Sequence, residues 1–429
     1  MTICRDPPPG TITLLSPRFR QIRHLELSHS YWKDIIAYSE ISSGPLPLLH
    51  TLTVTPLEFI SLDPVVTPAA PPFFGGAVNL KRFLFNSKKL NLLNHFVFPN
   101  LTTFELSVQQ AWTSNASNLF DFLKASPKLQ TVEMMINGSV TLGSVLQETV
   151  AVLPNVETFS LTMGLESDVY EVAARISCPC AKYTSLIHHS SDYNVTPDVD
   201  IFPARALWSI ISRQYSRSPA EEVTLDIKPD QYGSAITCSL TFQSSDTTTI
   251  ELRFQVYDSG EDGEYTPFSE MDRDLFSRAC GTIQDHPSLS HVKRLRLKYE
   301  TAVSHIAQAI PMSDDVGELF DSMGPLDELI IHGCDLHIFL GSFLDFPDNL
   351  ETHVSFPHIK ELTISHPSME INEEECLDAI VDLAESHDEL GIPFERVTVR
   401  AERLPVGMAE RLGKWVAVVE CYEEEYVEG

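Results

Sequence analysis

Three short clusters in this 429-residue chain carry side chains that could do chemistry. HGCDLH at His332–His337 places His, Cys, Asp and His within six residues, a set able to ligate a transition metal. Zinc sites, however, draw two such pairs from separate places, and no second Cys/His pair stands at finger spacing. CPC at Cys178–Cys180 is neither the C-x-x-C of redox sites nor half of a paired metal motif, so it reads as a structural loop with two thiols. His188 and His189 fall in the polar stretch IHHSSDY and read as a solvated loop. No G-x-G-x-x-G, phosphate-binding lysine loop, H-E-x-x-H or G-x-S-x-G occurs. Carboxylate pairs abound only because Asp and Glu number 60 against 30 Lys and Arg. The chain is expected to be non-enzymatic, with no catalytic residue, cofactor or metal.

The elements around these clusters follow a recurring phrase. It reads Pro, one residue or none, then apolar, two variable residues, apolar, one variable, apolar. FPNLTTFEL (Phe98–Leu106), SPKLQTVEM (Ser126–Met134), LPNVETFSL (Leu153–Leu161), GPLDELII (Gly324–Ile331), FPHIKELTI (Phe356–Ile364) and IPFERVTV (Ile392–Val399) carry it. Weaker copies begin at Ile22, Leu49, Leu80 and Val292. The steps are 27, 31, 21, 28 and 27 residues across Ile22, Leu49, Leu80, Leu101, Leu129 and Val156, then 34, 33 and 35 across Val292, Leu326, Ile359 and Phe394. Alternating apolar residues make each phrase a strand with one buried face. Ser117–Ala125, Leu142–Leu153, Phe268–Ile283 and Glu373–Leu390 have helical apolar stripes between phrases. Repeats of this length point to a leucine-rich-repeat solenoid: an irregular α/β horseshoe of strand–helix units with a parallel sheet on its concave face. Leu326, Leu329, Ile331, Cys334 and Leu336 fit the full repeat pattern, in which the Cys turns inward. Asn137 and Ser30 fall at the same place in two other copies.

Three blocks result: 1–177, a first repeat block; 178–287, an irregular junction; and 288–429, a second repeat block with an acidic tail, EEEYVEG. Within the junction SPAEEVTLDI (Ser218–Ile227) reads as a degenerate unit. CSLTFQ and TIELRFQVY (Cys238–Gln243, Thr249–Tyr257) read as a hairpin, followed by an acidic loop, DSGEDGE (Asp258–Glu264). The Pro-rich stretch Leu62–Gly76 reads as a long loop.

A net charge of −30 disfavours nucleic acid and anionic membrane as general partners and favours a basic protein partner. No stretch approaches 18 uncharged apolar residues, and MTICRDPPPG has no apolar h-region. The eight cysteines lack a disulfide-framework spacing. A cytoplasmic or nuclear protein is expected. If the strands line a horseshoe, the residues between the buried positions form its binding face. The candidates are Glu26, Thr53, Glu105, Glu133 and Ser160 in the first block. In the second they are Arg294, Arg296, Lys298, Glu328, Thr363, Arg396 and Arg400.

FPNLTTFEL, SPKLQTVEM, FPHIKELTI and the ending LDAIVDLAESHDELGIPFERVTVRAERLP (Leu377–Pro405) resemble the repeat region of fungal F-box/leucine-rich-repeat proteins of the basidiomycete type. That resemblance implies substrate recognition for a cullin–RING ubiquitin ligase. Such proteins begin with a helical F-box that docks on the ligase adaptor, opening with Leu-Pro-x-Glu. Residues 1–21 carry no such pattern, so the adaptor is expected as a partner only if an F-box lies upstream. The alternatives are an enzyme with its site within 178–287, or a repeat-only relic without a ligase role.

Overall fold

The computed structural model describes residues 2–3, 21–30, 46–56, 77–87, 90, 93, 96–141, 151–164, 169–190, 210, 219–229, 235–246, 248–257, 291–299, 324–333, 359–365, 373–401, 404 and 406–423. The chain is α/β, with extensive, mostly parallel sheet and few helices among the described residues. It divides into two compact units, Met1–His189 with Ser209–Gln214, and Ser190–Trp208 with Tyr215–Gly429.

The first unit contains β1 (Thr2–Ile3), β2 (His24–Ser30), β3 (Thr51–Pro56), β4 (Arg82–Ser87), β5 (Thr103–Asn115), α1 (Ser117–Lys124), β6 (Thr131–Thr141), β7 (Ala151–Val152), β8 (Thr158–Gly164), α2 (Val169–Ala174), β9 (Ile176–Ser177) and β10 (Tyr183–Ser190). Strands β1 to β6, β8 and β10 lie side by side in chain order, all parallel. β7 and β9 form a separate parallel pair.

The register explains why the phrase folds this way. Leu25, Leu52, Phe83, Phe104, Val132, Phe159 and Thr184 align in one buried column. Leu27, Val54, Phe85, Leu106, Met134, Leu161 and Leu186 align in the next. The core is most aromatic around Phe83, whose ring centroid lies 5.0–6.0 Å from those of Phe85, Phe96, Phe98, Phe104 and Phe122. Each fully buried side chain of this size contributes about 1.5–3 kcal/mol. One strand alone has nowhere to bury its column, so the units are stable only together.

The Pro of the phrase has a definite place. The N–H groups of Leu49, Leu80, Leu101, Leu129, Val156 and Ala181 donate to the carbonyls of Leu46, Ala77, Phe98, Ser126, Leu153 and Cys178, at 3.0–3.4 Å. Each is a β-turn leading into a strand, and in five of the six Pro is the second residue, where its fixed φ suits the turn. The third residue is often Asn, and it reaches back one unit. Asn79, Asn100 and Asn155 donate through Nδ2 to the carbonyls of Pro47, Val78 and Pro127 at 2.7–2.9 Å.

The second unit contains β11 (Ala220–Pro229), β12 (Ala235–Ser244), β13 (Thr249–Tyr257), β14 (Arg294–Tyr299), β15 (Leu326–His332), β16 (Ile359–Ser365), α3 (Glu373–Glu389), β17 (Arg396–Ala401), α4 (Met408–Leu412) and β18 (Val418–Glu423). β11 and β14 to β18 are parallel neighbours in chain order. β12 pairs antiparallel with β11, and β13 with β12. At the β12–β13 turn Asp246 accepts hydrogen bonds from the Ser244 hydroxyl and from the Thr248 N–H, which hold its carboxyl below the usual range.

All ten phrases of the sequence reading are strands, and α1 and α3 occupy two of the four expected helices. Three expectations need correction. Ala151–Val152, the end of the helix expected over Leu142–Leu153, is strand β7; residues 142–150 lie outside the described residues. Asn137 does not turn inward: β6 continues to Thr141, so alternation buries Ile136 and exposes Asn137. His188 and His189 are not in a loop but on β10, paired with Met163 and Gly164. The phrase also continues where it was not expected. Ala181, Thr184 and Leu186, and Val416, Val419 and Cys421, keep its spacing on β10 and β18. Phe268–Ile283, the loops at Leu62–Gly76 and Asp258–Glu264, and all of the acidic tail but Glu423 lie outside the described residues.

Candidate partner-binding face

Alternation that buries two columns turns the intervening positions to the opposite side of each sheet. In the first unit Glu26, Thr53, Leu84, Glu105, Glu133, Ser160 and Ser185 form one row, each paired with the next. All five candidates of this block therefore share a row. Glu105 and Glu133 are direct neighbours, a repulsive placement eased by Arg82, whose guanidinium meets Glu105 at 2.6–2.7 Å. The rest of the surface here is mostly hydroxyl-bearing: Thr51, Thr103, Thr131 and Thr158 stand in the preceding row.

The second unit differs in charge. Its rows across β14 to β18 read Arg294, Glu328, Glu361, Arg396 and Val418; then Arg296, Ile330, Thr363, Thr398 and Glu420; then Lys298, His332, Ser365, Arg400 and Tyr422. The register thus sets Arg294, Glu328 and Arg396 in one row, Arg296 and Thr363 in the next, and Lys298 and Arg400 in the third. Glu222 on β11 meets both Arg294 and Arg296, at 3.4 and 3.6 Å. Glu361 meets Arg396 at 4.0 Å, and Arg400 lies 5.5 Å over the Tyr422 ring. His332 Nδ1 is 2.9 Å from the Ser365 hydroxyl. Of these groups Arg296, His332, Glu361, Ser365, Arg396 and Arg400 help to line an open groove of about 520 Å³.

Sequence reasoning missed Ser185, His332, Ser365, Glu420 and Tyr422 on these rows. The signal for His332 and Ser365 was present, because they follow the last apolar residue of their phrase as Lys298 and Arg400 do. For Ser185, Glu420 and Tyr422 it was weaker, because their phrases lack an aliphatic residue at one position and, on β18, the Pro.

The three clusters that suggested chemistry resolve as follows. Cys178-Pro179-Cys180-Ala181 is the repeat turn itself: Cys178 takes the buried first place and Cys180 the exposed third. Burial pushes the Cys178 thiol up to about 12, so it is protonated and poorly nucleophilic at neutral pH. His188 is pushed down to about 4, first by burial and then by neighbouring His189. Of HGCDLH only His332 and Gly333 are described; Gly333, at φ 72°, ends β15 in the left-handed region. Cys334–His337 lie outside the described residues. Among the described residues there is no group of three or more His, Cys, Asp or Glu placed to hold a metal ion. Among the same residues no helix is long and apolar enough to cross a membrane.

Compared with known proteins, the chain matches no family model, no curated protein and no solved structure.

Proposed function

We propose that this chain is a non-enzymatic protein-interaction scaffold of leucine-rich-repeat type, a solenoid whose strand rows face a protein partner. The observation that carries the reading is the register. Structurally constrained positions fall in buried columns, while the intervening rows are mostly polar and change charge, with Leu84, Ile330 and Val418 as their apolar members. Polar groups spread along rows suit an extended partner surface; a catalytic site needs them to converge in a concave pocket. The row bearing Glu26, Glu105 and Glu133 suits a basic segment, in keeping with the chain's charge of −30. The resemblance to F-box/leucine-rich-repeat proteins extends the reading to selection of ubiquitination substrates.

The test is selection of a randomised peptide library on the full chain. Binders should be lost on Ser160→Trp or Thr363→Trp, which place a bulky ring in the outward rows. They should survive Val406→Trp, at an exposed position off the strands. Binders indifferent to both sheet substitutions would refute the reading. The ligase extension is tested separately: a version of the chain extended upstream should co-purify with adaptor and cullin, and failure to do so removes that role.

A further inference from the structure

We propose that the last outward row of the second unit, Lys298, His332, Ser365, Arg400 and Tyr422, binds an extended acidic protein segment carrying two carboxylates four residues apart. The inference rests on the reading of the sheet face as the partner surface and specifies its ligand there. The five side chains stand on consecutive parallel strands, one aligned with the next. None is a carboxylate, and every one can donate a hydrogen bond. On β11 the same row continues to Asp226, which is paired with Lys298 and meets Lys228 at 3.5 Å, so in a chain with twice as many acidic as basic residues the local reversal of charge spans β14 to β18.

The neighbouring rows sharpen the reversal. Glu328 and Glu361 lie four residues toward the strand starts, about 14 Å away along the strand, and Glu361 is engaged by Arg396; in the row between, Glu420 accepts from the Tyr422 hydroxyl at 3.4 Å. Arg294 and Arg296 are engaged by Glu222. From β14 to β18 the first row thus mixes Arg294 and Arg396 with Glu328 and Glu361, the middle row holds Glu420, and the last row has no carboxylate.

Spacing then selects the ligand. Lys298 and Arg400 are separated by three strand intervals, about 14 Å. An extended chain rises about 3.4 Å per residue, so side chains four residues apart also stand about 14 Å apart. A segment crossing the strand ends can set one carboxylate on the Lys298 ammonium and the other on the Arg400 guanidinium. Arg400 is held over Tyr422 and its flat fork matches a carboxylate. Between them half-buried His332, joined at 2.9 Å to buried Ser365, lies under the middle of the segment.

The experiment uses the full chain and a fluorescein-labelled peptide, Gly-Glu-Thr-Ser-Thr-Glu-Gly, by anisotropy. Its controls are the same peptide with Lys for Glu and one with the two Glu adjacent. The Glu peptide should bind at least tenfold more tightly than either control. Lys298→Gln and Arg400→Gln should each weaken it about tenfold at unchanged melting temperature, since a charge-assisted hydrogen bond is lost. Affinity should also fall between 50 and 200 mM salt. Equal binding of the adjacent-Glu peptide, or indifference to both substitutions, overturns the inference. Library binders lost on Thr363→Trp but lacking paired carboxylates would overturn it while leaving the partner face intact. Binding that appears only when residues 424–429 are removed also overturns it, and makes the chain's own acidic tail the occupant.

Discussion

Ser126 offers a clean test of the repeat register, because it occupies a position whose equivalents are all apolar. The first residue of the six β-turns is Leu46, Ala77, Phe98, Ser126, Leu153 or Cys178, and each is at most 6% exposed. Ser126 is fully buried and its hydroxyl has no hydrogen-bond partner. An orphaned buried hydroxyl costs about 1–3 kcal/mol of desolvation. Ser126→Ala removes that penalty and gives up only one heavy atom's packing, at a place where Ala77 shows that a methyl group fits. The expected gain is about 1 kcal/mol, which in a unit of this size raises the melting temperature by about 2–4 °C. Thermal and urea unfolding followed by circular dichroism measure it, with an unchanged m-value showing that stability moved and compactness did not. Thr184→Val is the counterpart. Thr184 interrupts an otherwise apolar column, but its hydroxyl is not orphaned, so the substitution should be neutral or destabilising. A fall in stability for Ser126→Ala, or an equal gain for both variants, would refute the argument that the orphaned hydroxyl is what matters.

Three further predictions follow from the same geometry. With iodoacetamide at pH 8 the exposed Cys180 should be modified readily in the native chain, and the buried Cys178, raised to about 12, only on unfolding; peptide mass spectrometry separates the two. His188, held at about 4 against its ordinary 6.5, takes up a proton more easily when unfolded, so stability is complete above about pH 6.5 and falls as pH drops toward 4. The full loss is on the order of 3 kcal/mol, and His188→Gln should flatten the decline in urea midpoint between pH 7 and 4.5. Asn100 links three units, donating to the Val78 carbonyl at 2.8 Å and accepting from Lys128 Nζ at 2.7 Å, so Asn100→Ala should destabilise the first unit by about 1 kcal/mol in urea unfolding.

The strands were legible because a two-residue period of large apolar side chains has one solution in a half-buried sheet. Leu80, Phe83 and Phe85 announce β4 with no Pro at all. Where one column position loses its aliphatic residue, as at Thr184 or Cys421, the pattern weakens although the backbone is unchanged. Position-specific turn chemistry was harder to see. Cys178-Pro179-Cys180 resembles a thiol motif until the backbone bond from Ala181 to Cys178 shows it to be equivalent to Ser-Pro-Lys-Leu and Leu-Pro-Asn-Val. Asn137 failed for a different reason. The rule that an Asn two residues past the strand turns inward assumes that the strand has ended, and β6 runs four residues further.

The same positional logic narrows where specificity can reside. Along one unit the turn's first residue is committed to the core, its second is often Pro, and its third holds the neighbouring turn where it is Asn. The residue before each strand is committed through its backbone. The carbonyls of Arg23, His50, Lys81, Thr102, Gln130 and Glu157 each accept from the next unit at 2.8–3.1 Å, whatever the side chain. Two of the next five side chains are buried in the columns. The residue type varies most at the three outward positions of each repeat, although Ser185, Thr398 and Ser365 among them are buried. Here the first unit sets Thr, Ser and Glu while the second sets Arg, Lys, His and Glu. Since exposed strand positions tolerate such exchanges within about 1 kcal/mol, these positions can change charge while the fold stays constant. A substitution there that leaves melting unchanged but alters binding therefore reports on recognition alone. Lys298 and Arg400 are the two places where that separation can be measured most directly.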